Sequence, residues 1–504
     1  MRNAPKKLLS ILALAFAGAL SLDAAAAAYQ VRFYSPGIKA SNTQIKFFDN
    51  ATNAAITGAS FPNTFVGSSS APITVKLQNS GPTVITFQPT PFTSAAPYSV
   101  YATTCAGTLA VGATCTLSIV FSPTTARVYY GGFLTINANI ANLAVPTFSA
   151  TAINPIVTQI VAGTSETFIQ KSDGSWWGRG NNNYGGLGLG DTAPRSNFVP
   201  IPALAGATKV LVGNYYSMAI QADGTLVASG SNYYGALGLG NTTDTSVFTT
   251  VPVGTVTDLQ TGSNYAYIKK ADGTWAGSGI GYGMGLGDSV VRSSFMTTAF
   301  ISSALDVAVH NNVTYLKAAD GFWYATGQDK YGKLGTGDTA GTLRTTFKPI
   351  VGLPSSAKIL RATGATGDSI FAQLADSSYM GVGYSCRNEL FVGQVGYDSC
   401  NSFTYITTFI SVPALNGVTK LYMGAKGTYA LFPDGNWYAA GANGSGGMGF
   451  GDSVDGLAAR RVYGLSPNTK ITEALNGGAT YGLNPDGTFL AVDPATQTFK
   501  AYIP

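Results

Sequence analysis

Apolar and polar positions alternate with period two from Tyr29 to Ala152. In APITVKLQNSGPTVITF, residues 71–87, Ile73, Val75 and Leu77 alternate with polar partners, the chain turns at NSG, and an apolar run follows. TCTLSIVFSP and GGFLTINANI repeat the alternation. Short period-two segments broken by turn residues are half-buried strands, so residues 29–152 predict an antiparallel β-sandwich.

Beyond it the pattern recurs at long range. An Asp-Gly pair stands before a strand at Asp173, Asp223, Asp272, Asp320, Asp434 and Asp486, with a degenerate Asp-Ser at Asp376. Three positions after each aspartate comes a large apolar residue: Trp176, Leu226, Trp275, Trp323, Tyr379, Trp437 and Phe489. One repeated apolar position per unit marks one repeated core position. Asp-Gly predicts a two-residue hairpin turn, because both residues accept positive φ. Each unit therefore reads strand, turn, strand, glycine-rich connection and a further strand such as FVPIPAL or FTTVPV. A unit of this length cannot bury its own faces, whereas seven stacked in a ring can, which predicts a β-propeller over 156–504.

Two resemblances sharpen this. FVGSSSAPITVKLQNSGPTVITF and TTCAGTLAVGATCTLSIVFSPTTARVYYGGFLTI, within residues 60–152, resemble immunoglobulin-like domains of the choice-of-anchor D type, relatives of the ASPM/Hydin group. In that family two cysteines bracket a short loop before a V-x-F-x-P strand, and Cys105 and Cys115 occupy that place ahead of IVFSP. DGTLVASGSNYYGALGLGN resembles the regulator-of-chromosome-condensation repeat, and the likeness runs through 156–504. It implies a seven-bladed propeller of that type. The chain departs from the pattern where the usual Trp before G-x-N is Arg179, Ser229 or Thr326, and its only histidine is His310. The expected architecture is all-β: an N-terminal Ig-like β-sandwich, 29–152, followed by a seven-bladed β-propeller, 156–504.

The ends and composition bear on where this protein works. Arg2, Lys6 and Lys7 precede the apolar run Leu8–Leu22 and an alanine tract, which reads as a signal peptide over residues 1–28. Removing it leaves 26 basic and 23 acidic side chains, too balanced for electrostatic nucleic-acid binding. Charged residues are only 11% of the chain, while aromatics reach 12%. That combination fits an exported all-β protein, secreted, periplasmic or at the cell surface, with no membrane span in the mature chain. Cys105, Cys115, Cys386 and Cys400 form two local pairs, read as two disulfides.

Candidate chemistry is sparse. GQDKYGKL spells a Walker-like run but ends in Leu where Mg²⁺ needs a hydroxyl, and it aligns with GNNNYGGL and GSNYYGAL as repeat punctuation. GGLGLGD approaches a calcium nonapeptide with its acid one place late. Asp191, Asn241, Asp288, Asp338 and Asp452 recur near the ends of these connections, and they read either as turn-capping side chains or as a ring of cation ligands. SSAK lacks its partner motifs, and one histidine cannot fill a set of acid–base roles. The expectation is no catalytic residue, no cofactor and no metal.

What remains is binding. Tyr184, Tyr234, Tyr282 and Tyr331 fall at nearly equivalent places in the connections, suited either to contact with a partner or to packing between units. The fifth unit replaces its connection with SCRNELFVGQVGYDSC, a loop carrying Arg387, Glu389, Phe391 and Tyr397 between Cys386 and Cys400. The expected function is a non-enzymatic binding or adhesion protein presenting a loop face to a protein or glycan partner. Its alternatives are a secreted inhibitor, as the resemblance to a propeller that inhibits β-lactamases implies, or an enzyme with an axial site.

Overall fold

The computed structural model describes residues 44–132, 134–139, 147–163, 166–338, 341, 343–360, 368–385, 387–392, 405–424, 427–473 and 480–502. The expected signal peptide, Cys386, Tyr397 and Cys400 lie outside them. The chain divides into two compact units, 1–154 and 155–504.

In the first unit the alternation does what it predicts. Ile45–Asp49, Ile73–Asn79, Thr114–Phe121 and Tyr98–Thr103 form one antiparallel sheet. Leu134–Ala138, Ile85–Ser94 and Thr108–Leu109 form another. Val75, Leu77, Ile85, Leu117, Ile119 and Phe121 point into one shared core with Phe61, Tyr98 and Phe148. Thr147–Ile153 differs from the expected all-antiparallel plan: it pairs parallel with Gly58–Ser60 and Thr64–Phe65, and antiparallel with Val128–Gly132. Parallel pairing needs a long crossover, and the intervening sheets supply one. Cys105 and Cys115 are disulfide-bonded across a separation of 10 residues.

The described residues of the second unit form seven four-stranded antiparallel sheets in chain order, at 157–200, 209–250, 256–296, 306–349, 358–411, 420–461 and 470–501. All seven apolar knobs, Trp176, Leu226, Trp275, Trp323, Tyr379, Trp437 and Phe489, are buried. Several are fixed by more than area: Trp176, Trp323 and Trp437 donate their indole N–H to the carbonyls of Ala207, Ala357 and Ser466, in the segment entering the next sheet.

The Asp-Gly turn departs from the expected two-residue form. Lys171 N donates to Ser175 O and Gly174 N to Lys171 O, so the loop has three residues. Only the glycine takes positive φ, 81° at Gly174, while the aspartate stays outside that region. Its carboxylate instead accepts the amide two residues on, as at Asp173, Asp223, Asp272, Asp320, Asp376, Asp434 and Asp486. The pair recurs because its two residues have different roles, the acid capping the turn and the glycine making the bulge. In the degenerate copy Ser377 accepts φ 68° in the glycine's place.

Neighbouring sheets are joined by the glycine-rich connections. Gly190, Gly240, Gly287, Gly337 and Gly451 donate their amides to Ser246, Ser293, Thr345, Thr407 and Gln497 on the outer side of the following sheet. Just before each lies a glycine against an aromatic ring of that sheet. At Gly188, φ is 68° and an added Cβ would sit 2.2 Å from the Phe248 ring. Gly238, Gly285, Gly335 and Gly449 meet Phe295, Phe347, Phe409 and Phe499 in the same way.

Among the described residues two seams show no such staple. Between the fifth and sixth sheets, Arg387 pairs with Asp455 at 2.6 Å. The seventh sheet packs on the first: Arg179 donates to the hydroxyls of Tyr481 (2.6 Å) and Tyr502 (2.9 Å), and Phe198 stacks edge-on against Phe489. Arg179 stands where the resemblance leads one to expect Trp.

Candidate interaction face

In each four-stranded sheet the turn between its first two strands and the connection between its last two emerge at the same end. Asp-Gly turns emerge at the other. The connection end carries the tyrosines, so its loops are the place to look for recognition.

The connections are held rigid from within. A buried Asn begins each regular one: Asn182, Asn232 and Asn443 accept the amides of Leu187, Leu237 and Met448, five residues on, and donate to residues Asp191, Asn241 and Asp452, nine residues on. Asp329 and Ser385 take the same place in the fourth and fifth sheets, accepting the amides of Leu334 and Leu390. Asp329 has the geometry but not the second donor, and burial pushes its carboxyl above the ordinary range.

The recurring acids serve their own loops. Asp191 pairs with Arg195, Asp288 with Arg292, Asp338 with Arg344 and Lys348, and Asp452 with Arg460. Hydrogen bonds from Arg292 and the Val290 amide hold Asp288 down to about 2. Asn241 caps the Thr243 amide. Among the described residues no cluster of three or more His, Cys, Asp or Glu side chains converges to hold a metal. His310 is buried against the ring of Tyr315.

The four singled-out tyrosines sit in or beside the seams. Tyr184 packs on Tyr215 of the next sheet, with ring centroids 5.2 Å apart, yet remains 45% exposed. Tyr331 packs on Tyr384 of the next sheet at 4.9 Å. Tyr234 is half-buried under Tyr233, edge-on at 4.9 Å, and Tyr233 is 72% exposed. Tyr282 is half-buried in the helical turn Gly281–Met284. Burial raises its phenol, the Tyr234 hydroxyl nearby adds to this, and a hydrogen bond with Asn264 opposes it. Packing and presentation are thus combined here: rings fixed by a neighbour, with edges left in solvent. Sequence reasoning did not pick out Tyr215, Tyr233 and Tyr384. The double tyrosine at 233–234 was a legible signal for one of them.

The fifth connection is built inward over its described part. Phe391 is 3% exposed, packed with Phe371, Leu390, Val412 and Leu415. Glu389 is 7% exposed, its carboxylate accepting the Arg387 amide, and burial raises it despite that bond and the Arg387 charge. Arg387 is spent on Asp455, whose other oxygen accepts the Asn443 amide.

Residues 173–220 match the family model of the regulator of chromosome condensation (RCC1) repeat. Among solved structures, Prp20p from Saccharomyces cerevisiae, described with its binding to Gsp1p and histones, superposes with a TM-score of 0.52 at 17% identity, over 62% of this chain and 79% of that one. Yeast RCC1 (Prp20) in complex with Kap60 gives 0.54 at 17% identity, over 66% and 81%. Residues 155–504 form an RCC1-like β-propeller. Human WBSCR16 is similar at 0.51 and 17% identity, over 64% and 85%. At this identity the likeness is one of fold. No curated protein sequence matches the chain. Among the described residues of the propeller and the unit before it, no helix is long and apolar enough to cross a membrane.

Proposed function

We propose that this chain is an exported, non-enzymatic binding protein. Residues 1–28 are its signal peptide and 29–152 an Ig-like sandwich. The propeller, 156–504, is seven-bladed and takes a protein or glycan partner on its connection end. One observation carries the reading: Tyr184 and Tyr233 are large, exposed rings whose positions are fixed by Tyr215 and Tyr234. A ring already held in place loses little entropy on contact, and tyrosine brings both apolar area and a hydroxyl to an interface. The loops beneath are braced by buried Asn side chains and by amide staples to the next sheet. That Prp20p binds proteins makes a protein the first partner class to test.

The test is the paired substitution Tyr184→Ala with Tyr233→Ala. Partner binding should weaken at least tenfold, with the thermal transition unchanged. Phe322→Ser, an exposed residue beside the Asp320 turn at the opposite end, should leave binding intact.

A further inference from the structure

The opposite end of the propeller axis carries a feature that the repeat does not require. The first strands of the sheets are Val157–Ala162, Lys209–Val212, Val256–Thr261, Asp306–His310, Lys358–Ile359, Lys420–Met423 and Lys470–Glu473. Each pairs with its second strand in the same register relative to the Asp-Gly turn. Gln159, Lys209, Asp258, Asp306, Lys358, Lys420 and Lys470 all face the residue three before the turn aspartate. One equivalent position therefore forms a polar ring around the axis, just outside the apolar layer of Ile160, Val210, Leu259, Val307, Ile359, Leu421 and Ile471.

The ring is lopsided. Lys209 and Asp258 neutralise each other at 2.5 Å, and the second aspartate, Asp306, is on the adjoining sheet. The fifth, sixth and seventh sheets bring Lys358, Lys420 and Lys470 in succession, and the first brings uncharged Gln159. Among the described residues none of these three lysines is paired with a carboxylate. Lys420 Nζ donates to the Pro467 carbonyl, in the segment leading to Lys470.

Cavities open on this same side. One of about 310 Å³ is lined by Gln159, Ile160, Leu211, Tyr422, Lys470 and Ile471. A second of about 220 Å³ shares Thr158, Lys470 and Leu483 with it and adds Asn468 and Asn484. Lys470 stands at both. An ammonium beside an apolar cavity, with amide side chains for orientation, suits a ligand that is charged at one end and carbon at the other. Roughly 300 Å³ is at the small end of ligand sites.

We propose that this end of the axis binds a small organic anion of the size of a di- or tricarboxylate. Its anionic group sits on Lys470, and its carbon body lies against Leu211, Tyr422 and Ile471. The site is separate from the tyrosine face and does not rest on its function.

The experiment is titration calorimetry of the full chain with citrate, and with inorganic phosphate as the charge-only probe. Citrate should bind more tightly than phosphate, and more weakly as salt is raised. Lys470→Gln should weaken citrate at least tenfold and Lys470→Arg should restore most of it, with near-UV circular dichroism unchanged in both. Lys46→Gln, in the first unit, and the Tyr184/Tyr233 pair should bind as the parent does. The proposal is overturned if the parent binds neither probe, if phosphate binds as well as citrate, or if Lys470→Gln binds citrate as the parent does.

Discussion

Arg387 reaches from the fifth sheet's connection to Asp455 of the sixth, Nε to Oδ2 at 2.6 Å. Among the described residues it is the polar link across this seam, where five other seams show an amide staple and a glycine–phenylalanine contact. The same aspartate accepts the Asn443 amide, so one carboxylate ties the fifth connection to the start of the sixth. Both side chains are about a third exposed, which sets the pair between a surface bridge and a buried one. Arg387→Ala should lower stability in urea denaturation by about 1 kcal/mol, and a double-mutant cycle with Asp455→Asn should show coupling of roughly 0.5–1 kcal/mol. Additive effects would show that the pair does not hold the seam.

Gly188 is the sharpest steric test of the stapled seams. Gly188→Ala meets both a positive φ and the Phe248 ring, and should destabilise by about 2–4 kcal/mol. Gly107→Ala shares the positive φ but meets nothing within 4 Å, and should lose only about 1 kcal/mol. Equal losses in thermal melts would show that the Phe248 contact does not stabilise the seam.

Asp329 occupies a position that three other connections give to Asn. Burial raises its pKa above the unfolded value, so the fold favours the protonated form. Stability from this group is full below the unfolded carboxylate pKa and is lost as pH rises through the raised one. Asp329→Asn keeps the acceptor for Leu334 N and removes that loss. It should stabilise by roughly 0.5–1 kcal/mol at pH 7 and do little at pH 3. Melting curves at the two pH values decide; a lower transition at pH 7 would contradict it.

The Cys105–Cys115 bond closes a short loop beside the first unit's core, and both cysteines are buried. Cys105→Ala with Cys115→Ala should cost the first unit about 2–3 kcal/mol. The propeller transition should not move, because the substituted residues lie in the other compact unit.

The repeat was legible because a ring of equivalent sheets imposes one demand many times over. Trp176 and its six counterparts stood out for that reason. The length of the turn was not legible, because Asp-Gly also serves three-residue loops, in which the acid acts through its carboxylate. Contacts across seams were not legible either. Nothing near Gly188 names Phe248, sixty residues on, and nothing near Arg387 names Asp455. The departure of the fifth connection from the repeat pattern marked an unusual seam, yet Phe391 and Glu389 turned out to be buried there. The ring of Lys358, Lys420 and Lys470 emerges only once strand register aligns the first strands.

Recognition through the connection end is tested by site-specific photocrosslinking. A photoreactive phenylalanine analogue is placed at Tyr233 on the connection end, or at Phe322 on the turn end, and each full chain is exposed to the extracellular proteins and glycans of its source. Position 233 should give a discrete adduct, competed away by unlabelled parent but not by the Tyr184→Ala/Tyr233→Ala chain, and position 322 should give none. Equal adducts from both ends, or an adduct that the doubly substituted chain competes away as well as the parent, would contradict recognition through the connection end.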